Sequence, residues 1–361
     1  MKRIANFIPA LSGGGAERVV VNLLQAFDRN KVTPILVTGS ATGPFADKIA
    51  SDVEVIDLQT PRMRNAAGPL RDLMNQRRFD LFISHLSHAN IATLRAAKRT
   101  KHKPTLAVVE HMTMSAYRGQ RWRDRLIKPL AKRLYPMADH IVCVSQAAAR
   151  DLETVLALPK DSVRTIYNPV VSPEIQSLGR APLQHSLNSF PGTLLLGVGR
   201  LSEQKDFSTL IQAFAQLYPK IQGEVHLAIL GTGEQHTRLT ELIRQLELQS
   251  MVSLVGFQEN PYAWMKRADL FVLSSRWEAL PTVLIEAMAC GTNIVSTDCP
   301  SGPREILATE FLEHLTQVGD PDSLAERIIQ ALQHSPDKEA LQRSANRFSY
   351  SQAATAYTNL I

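Results

Sequence analysis

Short apolar runs alternate with helical stretches along almost the whole chain. In the first half, residues 17–27 are one such helical stretch, because Val20, Leu23, Leu24 and Phe27 share one face of a helix. The strands predicted around it are Ile4–Pro9, Pro34–Thr38, Val53–Leu58, Asp80–Ser84, Thr105–Glu110 and His140–Val144. Strand–helix alternation is typical of parallel sheets covered by helices.

The alternation starts again in the second half of the chain. Helices are predicted over residues 206–217 and 238–246. The strands predicted there are Leu194–Val198, Val225–Leu230, Val252–Val255, Leu270–Leu273 and Asn293–Ser296. Between the two halves lies a polar, strand-poor segment that contains three prolines, a composition typical of linkers.

The restart predicts an α/β protein with two Rossmann-like, doubly wound parallel-sheet domains that face each other across a cleft. The predicted bounds are an N-terminal domain at 1–170, a linker at 171–190, a C-terminal domain at 191–340, and a C-terminal helix at 341–361 that crosses back to the first domain. Ligands of such sheets bind at the carboxyl ends of the strands, so we expect the site in the cleft.

Composition narrows the class of protein. The chain has 361 residues, of which 44% are hydrophobic and 20% charged, as in soluble globular proteins. No run approaches the roughly 20 apolar residues that a membrane-spanning helix needs. Three cysteines without metal-ligand spacing indicate a reduced, cytoplasmic setting with no disulfide framework.

The net charge of +6 is unevenly placed. Residues 95–133 hold twelve Lys and Arg, against only Glu110 and Asp124. Two interpretations stay open, a solvated basic face and a contact with an anionic partner such as a membrane surface or a lipid-linked phosphate. Nucleic acid ranks last, because no zinc-finger, helix-turn-helix or RNA-binding aromatic motif accompanies the charge.

Two carboxylates near a helix start are the most informative local feature. Glu278 precedes Pro281, a residue suited to the first turn of a helix, and Glu286 lies about one and a half turns inside the predicted helix. This spacing directs anionic acceptors and unpaired backbone N–H groups toward one small volume. Such a volume suits a ligand that carries hydroxyls and phosphates.

Glycine turns and cations follow the first strand of each half. Ser12-Gly-Gly-Gly-Ala-Glu17 opens the first helix, where glycines allow close approach and the helix N-terminus favours anions. The dinucleotide fingerprint GxGxxG is absent from this turn, which weakens an NAD interpretation. In the second half, Arg200 and Lys205 follow a strand as two cations suited to a diphosphate. A tight turn and surface charge are the structural alternatives.

Histidines and aspartates supply the weaker candidates. His111 ends a predicted strand and can bind a hydroxyl or transfer a proton, although a lone histidine is more often structural. His85 and His88 are similar but weaker candidates. Asp320-Pro-Asp322 resembles a metal-binding DxD motif, but it precedes a helix and helix capping explains it, so no metal site is predicted.

Taken together, these residues resemble the family 4 retaining glycosyltransferases, which have the two-Rossmann glycosyltransferase B fold. The likeness covers nearly the whole chain and is closest to bacterial enzymes of polysaccharide, lipopolysaccharide and lipid-linked oligosaccharide assembly. It rests on the following segments in family order: the Ser12–Arg18 turn, Glu110-His111, Tyr167-Asn-Pro169, Gly199–Lys205, Gly231-Thr-Gly-Glu234, and the glutamates Glu278 and Glu286 separated by seven residues. One departure is Ala279, where many relatives have glycine.

The resemblance implies roles for individual residues. Glu286 would hold the ribose of a nucleotide, Glu278 and His111 would contact the donor sugar, and Arg200 and Lys205 would neutralise the leaving diphosphate. Further donor contacts would come from two glycine turns and a helix start, namely Gly13, Gly14, Gly15, Gly231, Glu234, Leu280, Pro281, Thr282 and Val283. Catalysis would need no metal ion and no cofactor beyond the donor itself.

The expected function is transfer of a hexose or N-acetylhexosamine from a nucleotide-diphosphate sugar, with UDP favoured, to a glycan or lipid-linked saccharide acceptor. The protein would be cytoplasmic, with residues 95–133 as a candidate contact to the inner membrane surface. The alternatives are a nucleotide-sugar epimerase or NAD-linked oxidoreductase, and a non-catalytic protein that binds sugar nucleotides. Donor sugar, acceptor, linkage and oligomeric state are not determined by the sequence.

Overall fold

A computed structural model describes residues 1–12, 14–115, 126–308, 310–334 and 336–361. The chain divides into two compact units. The first comprises Met1–Val170 together with Phe348–Ile361, and the second comprises Val171–Arg347. Each unit has one parallel sheet with its own helices and core. The predicted parallel α/β architecture is confirmed.

The first unit contains a seven-stranded parallel sheet with the order β3-β2-β1-β4-β5-β6-β7. Its strands are β1 Lys2–Ile8, β2 Val32–Thr38, β3 Glu54–Asp57, β4 Leu81–His85, β5 Thr105–Glu110, β6 His140–Cys143 and β7 Val163–Thr165. The six predicted strands match β1 to β6 within two residues at each end. The edge strand β7, three residues long, has no counterpart in the prediction.

Helices cover both faces of this sheet. They are α1 Gly15–Ala26, α2 Ala67–Gln76, α3 Ser87–Ala97, α4 Ile127–Leu134, α5 Gln146–Leu156 and, from the end of the chain, α14 Tyr350–Thr358. Within β4, Phe82 packs in the core with α2 to α5, whereas Leu81 and Ile83 pack in the core with α1 and α14. Because alternate strand residues point to opposite faces, this strand is buried on both sides and reads as a continuous apolar run.

The end of the chain belongs to the first unit. The backbone N–H of Val170 donates to Phe348 O at 2.9 Å, and the ring of Tyr167 contacts that of Phe348 edge-on. The following helix, α14, packs against α1. The segment predicted as one C-terminal helix at 341–361 is therefore two elements in the structure, because a short turn around Phe348 separates α14 from a preceding helix.

The second unit contains a six-stranded parallel sheet with the order β10-β9-β8-β11-β12-β13. Its strands are β8 Thr193–Val198, β9 Val225–Leu230, β10 Val252–Gly256, β11 Leu270–Leu273, β12 Asn293–Thr297 and β13 Leu315–Thr316. The prediction located the first five to within one residue at each end and missed the two-residue edge strand β13.

The helices of the second unit begin within the segment predicted as a linker. They are α6 Ile175–Gly179, α7 Phe207–Leu217, α8 His236–Gln245, α9 Pro261–Arg267, α10 Thr282–Cys290, α11 Pro303–Leu307, α12 Pro321–Gln333 and α13 Lys338–Ala345. Ile175 is buried, and Gln176 Nε2 donates to Ala289 O of α10 at 2.5 Å. Residues 171–190 are thus part of this unit, because their few apolar side chains pack despite a polar composition.

Asp320 caps α12, since its side chain accepts hydrogen bonds from the N–H groups of Asp322 and Ser323. The capping role predicted for the DxD sequence is confirmed. Among the helices of the described residues, none has the length and apolar character needed to cross a membrane.

Candidate functional site

The strand order reverses once in the second unit, between β8 and β11, which are neighbours in the sheet. In open α/β sheets, ligands bind outside the carboxyl ends of the strands at such a switch point. The loop that follows β8 contains Arg200 and Lys205, and the loop that follows β11 contains Glu278. Residues predicted from separate motifs therefore lie on the two loops that border the switch point.

Lys205 and Glu278 form an ion pair across these loops. Lys205 Nζ lies 2.5 Å from Glu278 Oε1, and the two side chains are only 16% and 8% exposed. Glu278 also accepts hydrogen bonds from Ser275 Oγ at 2.7 Å and from Gln204 Nε2 at 3.3 Å. A buried carboxylate with three donors is well compensated, and its oxygens are held in a fixed position.

Hydrogen bonds between the loops hold this pair in place. Ser274 Oγ donates to Lys205 O at 2.8 Å, and Arg276 N donates to Gln204 O at 2.8 Å. Asp206 then accepts from Arg276 Nε at 2.9 Å. Asp206 is itself left-handed, with φ at +45°, which is uncommon for a residue with a side chain. Sequence reasoning missed these supporting residues, since nothing local links positions about 70 apart.

A glycine allows the β8 and β9 loops to meet. Gly231 has φ at +131°, and a Cβ built there would lie 1.9 Å from the carbonyl oxygen of Gly199. Any side chain at this position would be strained by conformation and by contact. The glycine predicted at this turn is therefore required by geometry. Glu234, predicted beside it, is exposed at the start of the following turn.

The second glutamate lies inside a buried helix. Helix α10 begins at Thr282 after Pro281, and no side chain of the described residues caps it. The first N–H groups of such a helix, around Val283, have no partner within the helix. Glu286 is the fifth residue of α10 and is only 4% exposed. The predicted placement of Glu278 before the helix and Glu286 inside it is thus observed.

Two of the predicted donor-contact residues, Leu280 and Pro281, lie just before α10. Leu280 and Pro281 are buried, and Gly302, with φ at +91°, packs so closely that a Cβ would lie 2.4 Å from Pro281 Cδ.

Arg200 is exposed and forms no ion pair with any residue that the structure describes. The structure pairs Lys205 with Glu278, whereas among the described residues Arg200 forms an ion pair with neither of them.

In the first unit the strand order reverses between β1 and β4, and a chain of polar side chains lies there. Asn6 of β1 and His85, the last residue of β4, are fully buried. His85 Nε2 lies 3.2 Å from Asn6 Oδ1, and His85 Nδ1 lies 3.0 Å from His111 Nε2, just after β5. Burial lowers the pKa of His111 to about 4 and that of His85 well below its usual value, so both rings are neutral at pH 7.

A buried carboxyl lies next to this chain in sequence. Glu110 accepts hydrogen bonds from Ser87 Oγ at 2.9 Å, from Asn90 Nδ2 at 3.3 Å and from the hydroxyl of Tyr135. Burial raises the pKa of Glu110 to about 7, although these hydrogen bonds act in the opposite direction. Sequence reasoning named Glu110 only as the neighbour of His111, and the titration of its carboxyl depends on contacts with α3 and with Tyr135.

The glycine turn after β1 is described in part. Gly13 lies outside the described residues. Gly14 is the residue before α1, and Gly15 is the first residue of that helix. A Cβ on Gly15 would meet no atom of the described chain within 4 Å, so space alone does not require glycine at this position.

Comparison with known proteins identifies the family. Residues 13–172 match the model described as Glycosyltransferase Family 4, and residues 188–348 match the model described as Glycosyl transferases group 1. The two models together account for most of the chain, which belongs to the family 4 glycosyltransferases. The family inferred from the sequence motifs is confirmed, and with it the coarse class of enzyme.

Two relatives show how far the similarity extends. An N-acetylgalactosaminyltransferase of Campylobacter jejuni, named for a diphospho-undecaprenol-linked saccharide, is 27% identical over 360 residues, which cover 96% of this chain and 94% of that protein. An uncharacterized glycosyltransferase of Methanocaldococcus jannaschii is 32% identical over 240 residues. That match covers 64% of this chain and 59% of the archaeal protein, so the chain spans under two thirds of this relative's length.

A solved structure supports the fold. HepE of Anabaena, determined in complex with UDP-glucose, is 20% identical to this chain, with a TM-score of 0.78 and coverage of 99% of each chain. This likeness extends over both units and confirms the glycosyltransferase B fold.

Proposed function

We propose that the protein is a retaining glycosyltransferase that moves a hexose or an N-acetylhexosamine from a nucleotide-diphosphate sugar, most simply a UDP-sugar. The observation that carries this proposal is the buried Lys205–Glu278 pair at the β8/β11 switch point. It combines a fixed cation for phosphate with a fixed carboxylate for sugar hydroxyls. The UDP-glucose complex of HepE supports this choice of donor.

The proposed step needs no protein nucleophile. The bond between the sugar's C1 and the phosphate oxygen breaks, the acceptor oxygen bonds to C1 on the same face, and the acceptor's proton passes to the leaving phosphate. Negative charge grows on the diphosphate during this step. Lys205, Arg200 and the N–H groups at the start of α10 would stabilise that charge without a metal ion.

The remaining site residues bind the donor in this proposal. Glu286 holds the ribose hydroxyls, and Glu278 and His111 hold the sugar. In this proposal Gly14, Gly15, Gly231 and Glu234 contact phosphate or sugar, as would Gly13, which lies outside the described residues. The acceptor is a glycan or a lipid-linked saccharide, as the name of the Campylobacter relative supports.

A basic face of the first unit is the proposed contact to the inner membrane surface, with the protein on its cytoplasmic side. Within the described residues, Arg95, Lys98 and Arg99 near the end of α3 are exposed, as are Lys132 and Arg133 of α4. Residues 116–125 of this stretch lie outside the described residues. Co-sedimentation with vesicles that contain anionic lipid tests the proposal, and no binding at low salt would contradict it.

A panel of nucleotide sugars, scored by thermal shift and then by transfer or hydrolysis, tests the donor. A ligand that binds only the folded state raises the apparent stability. We expect a UDP-sugar to raise the melting temperature and to be turned over in the presence of EDTA. A response to NAD alone would overturn the proposal in favour of an oxidoreductase or epimerase, and binding without turnover would favour a non-catalytic protein.

A further inference from the structure

Three neighbouring strands each contribute one side chain to the polar chain in the first unit. Asn6 comes from β1, His85 from the end of β4, and His111 from the residue after β5. Asn6 and His85 have no solvent exposure. Burying polar groups in this way costs free energy unless every group is paired. In this chain the cost of burial is only partly offset, because Asn6 Nδ2 is buried without a hydrogen-bond partner among the described residues.

The order of hydrogens along the chain follows from Asn6 Oδ1 facing His85 Nε2. Asn6 Oδ1 can only accept, so the hydrogen between Asn6 and His85 belongs to His85 Nε2. Neutral His85 then carries no hydrogen on Nδ1, which accepts from His111 Nε2–H at 3.0 Å. The remaining ring nitrogen of His111, Nδ1, is therefore an acceptor, and no residue that the structure describes is bonded to it.

We propose that Asn6 and His85 are positioning residues that hold His111 in the Nε2–H tautomer, so that His111 Nδ1 accepts a hydrogen bond from a hydroxyl of the bound sugar. The sugar contact rests on the proposed function, whereas the tautomer does not. Because His111 Nδ1 is a neutral acceptor, it favours a ligand group that donates a hydrogen bond, such as a sugar hydroxyl. It does so without adding the negative charge of a second carboxylate.

Neutrality of both rings supports this order. Burial lowers the pKa of both histidines, so neither ring carries a second hydrogen at pH 7. If either ring were charged, both of its nitrogens would donate and the chain would lose its direction. Apolar side chains at this place would avoid the free-energy cost of the buried, unpaired Asn6 nitrogen. The presence of the polar chain despite that cost is consistent with a role in ordering the hydrogens of His111.

Nitrogen NMR of ¹⁵N-histidine-labelled protein without donor tests the tautomer directly. We expect His111 in the wild type to show a protonated Nε2 and an unprotonated Nδ1 at pH 7, with its signals assigned through a His111→Gln variant. In His85→Leu the acceptor is gone, so His111 should become a mixture of tautomers. In His85→Asn a side-chain oxygen can replace Nδ1 as acceptor, which should restore the Nε2–H form.

The kinetic readout follows the same series. We expect kcat/KM to fall about tenfold in His85→Leu, the size of one lost neutral hydrogen bond, and to recover in part in His85→Asn. His102→Gln, at an exposed position, is the matched control and should change neither readout. Circular dichroism identifies any variant that fails to fold. For that case Asn6→Leu is a second test, because it frees His85 and should also mix the tautomers.

The outcomes separate the two proposals. A wild-type His111 with hydrogen on Nδ1, or an unchanged His111 signal in folded His85→Leu and Asn6→Leu, overturns the inference. The absence of turnover with any nucleotide sugar contradicts the proposed function instead. The spectra are recorded without donor, so they decide the tautomer in either case.

Discussion

The two sheets reverse their strand order in the same way, but the side chains at the two switch points differ in charge. At β8/β11 the site contains an ion pair, Lys205 with Glu278, whose members keep 16% and 8% of their side-chain exposure. At β1/β4 the site is a neutral chain of Asn6, His85 and His111, and the first two are fully buried. One topology therefore supports two electrostatic solutions.

Burial explains the difference. A charge removed completely from water costs several kcal/mol unless its partners compensate it, whereas a neutral imidazole or amide costs less. The second unit has three donors around Glu278 and can keep charge that a diphosphate requires. Among the described residues of the first unit, the side chains bonded to His85 are neutral, and the buried carboxyl of Glu110 has its pKa raised to about 7. The comparison predicts that activity requires charged side chains at the β8/β11 switch point. At the β1/β4 switch point, a charged side chain should destabilise the fold.

The largest effect should come from removing the cation of the charged site. We expect Lys205→Met to lower kcat by about 10²- to 10³-fold, which is typical of the loss of one donor that stabilises a transition state. Lys220→Met, at an exposed position in the same unit, is the control and should retain full activity. A variant that keeps its kcat would show that the charge at this switch point is structural.

The buried carboxyl of Glu110 should make the stability of the protein depend on pH. Its pKa rises from 4.5 to about 7 on folding, so the folded state binds more protons between these values and stability falls as pH rises through them. The loss amounts to about 3 kcal/mol above pH 7. Glu110→Gln stays neutral at every pH and should lack this pH dependence of stability.

The measurement is the unfolding midpoint of wild type and Glu110→Gln at several pH values. The two histidines have the opposite sign, since their pKa values are lowered on folding and they destabilise the protein as pH falls. They are common to both proteins and cancel in the difference. Parallel curves between pH 5 and pH 8 would mean that Glu110 does not titrate in this range.

A smaller effect is expected at the nucleotide contact. Glu286→Gln should weaken binding of UDP by roughly ten- to a hundredfold, since hydrogen bonds to a charged group are worth about 1.5–3 kcal/mol. Glu326→Gln, on an exposed position of α12, is the control. Calorimetric titration with UDP gives both dissociation constants, and equal values would remove Glu286 from the site.

The smallest effect concerns the support of the charged site. Arg276→Gln removes the hydrogen bond that Arg276 Nε donates to Asp206 Oδ2 at 2.9 Å. The side chain of Arg276 is 46% exposed, so solvent screens this ion pair. We expect kcat/KM to fall about threefold, with a loss of stability of under about 1 kcal/mol. Arg238→Gln on α8 serves as the exposed control. A drop as large as that of Lys205→Met would make Arg276 part of the site itself.

Much of the fold follows from the sequence by itself. Eleven strands were located from their apolar runs, because a strand buried on both faces is hydrophobic over its full length. The two that were missed, β7 and β13, are edge strands of three and two residues, too short for a pattern to be recognised. The spacing of Glu278 and Glu286 around a helix start was also readable, since helix signals are local.

Only the tertiary structure decided which of these residues meet. Lys205 and Glu278 lie 73 positions apart, and their contact depends on β8 and β11 being neighbours in the sheet. The same holds for His85, which ranked as a weak candidate and proved to be bonded to His111 across β4 and β5. Hydrophobic periodicity records the neighbours of a residue within one element, whereas strand order is set by the packing of the whole domain. Pairing, burial and the pKa values that follow from them therefore belong to the fold.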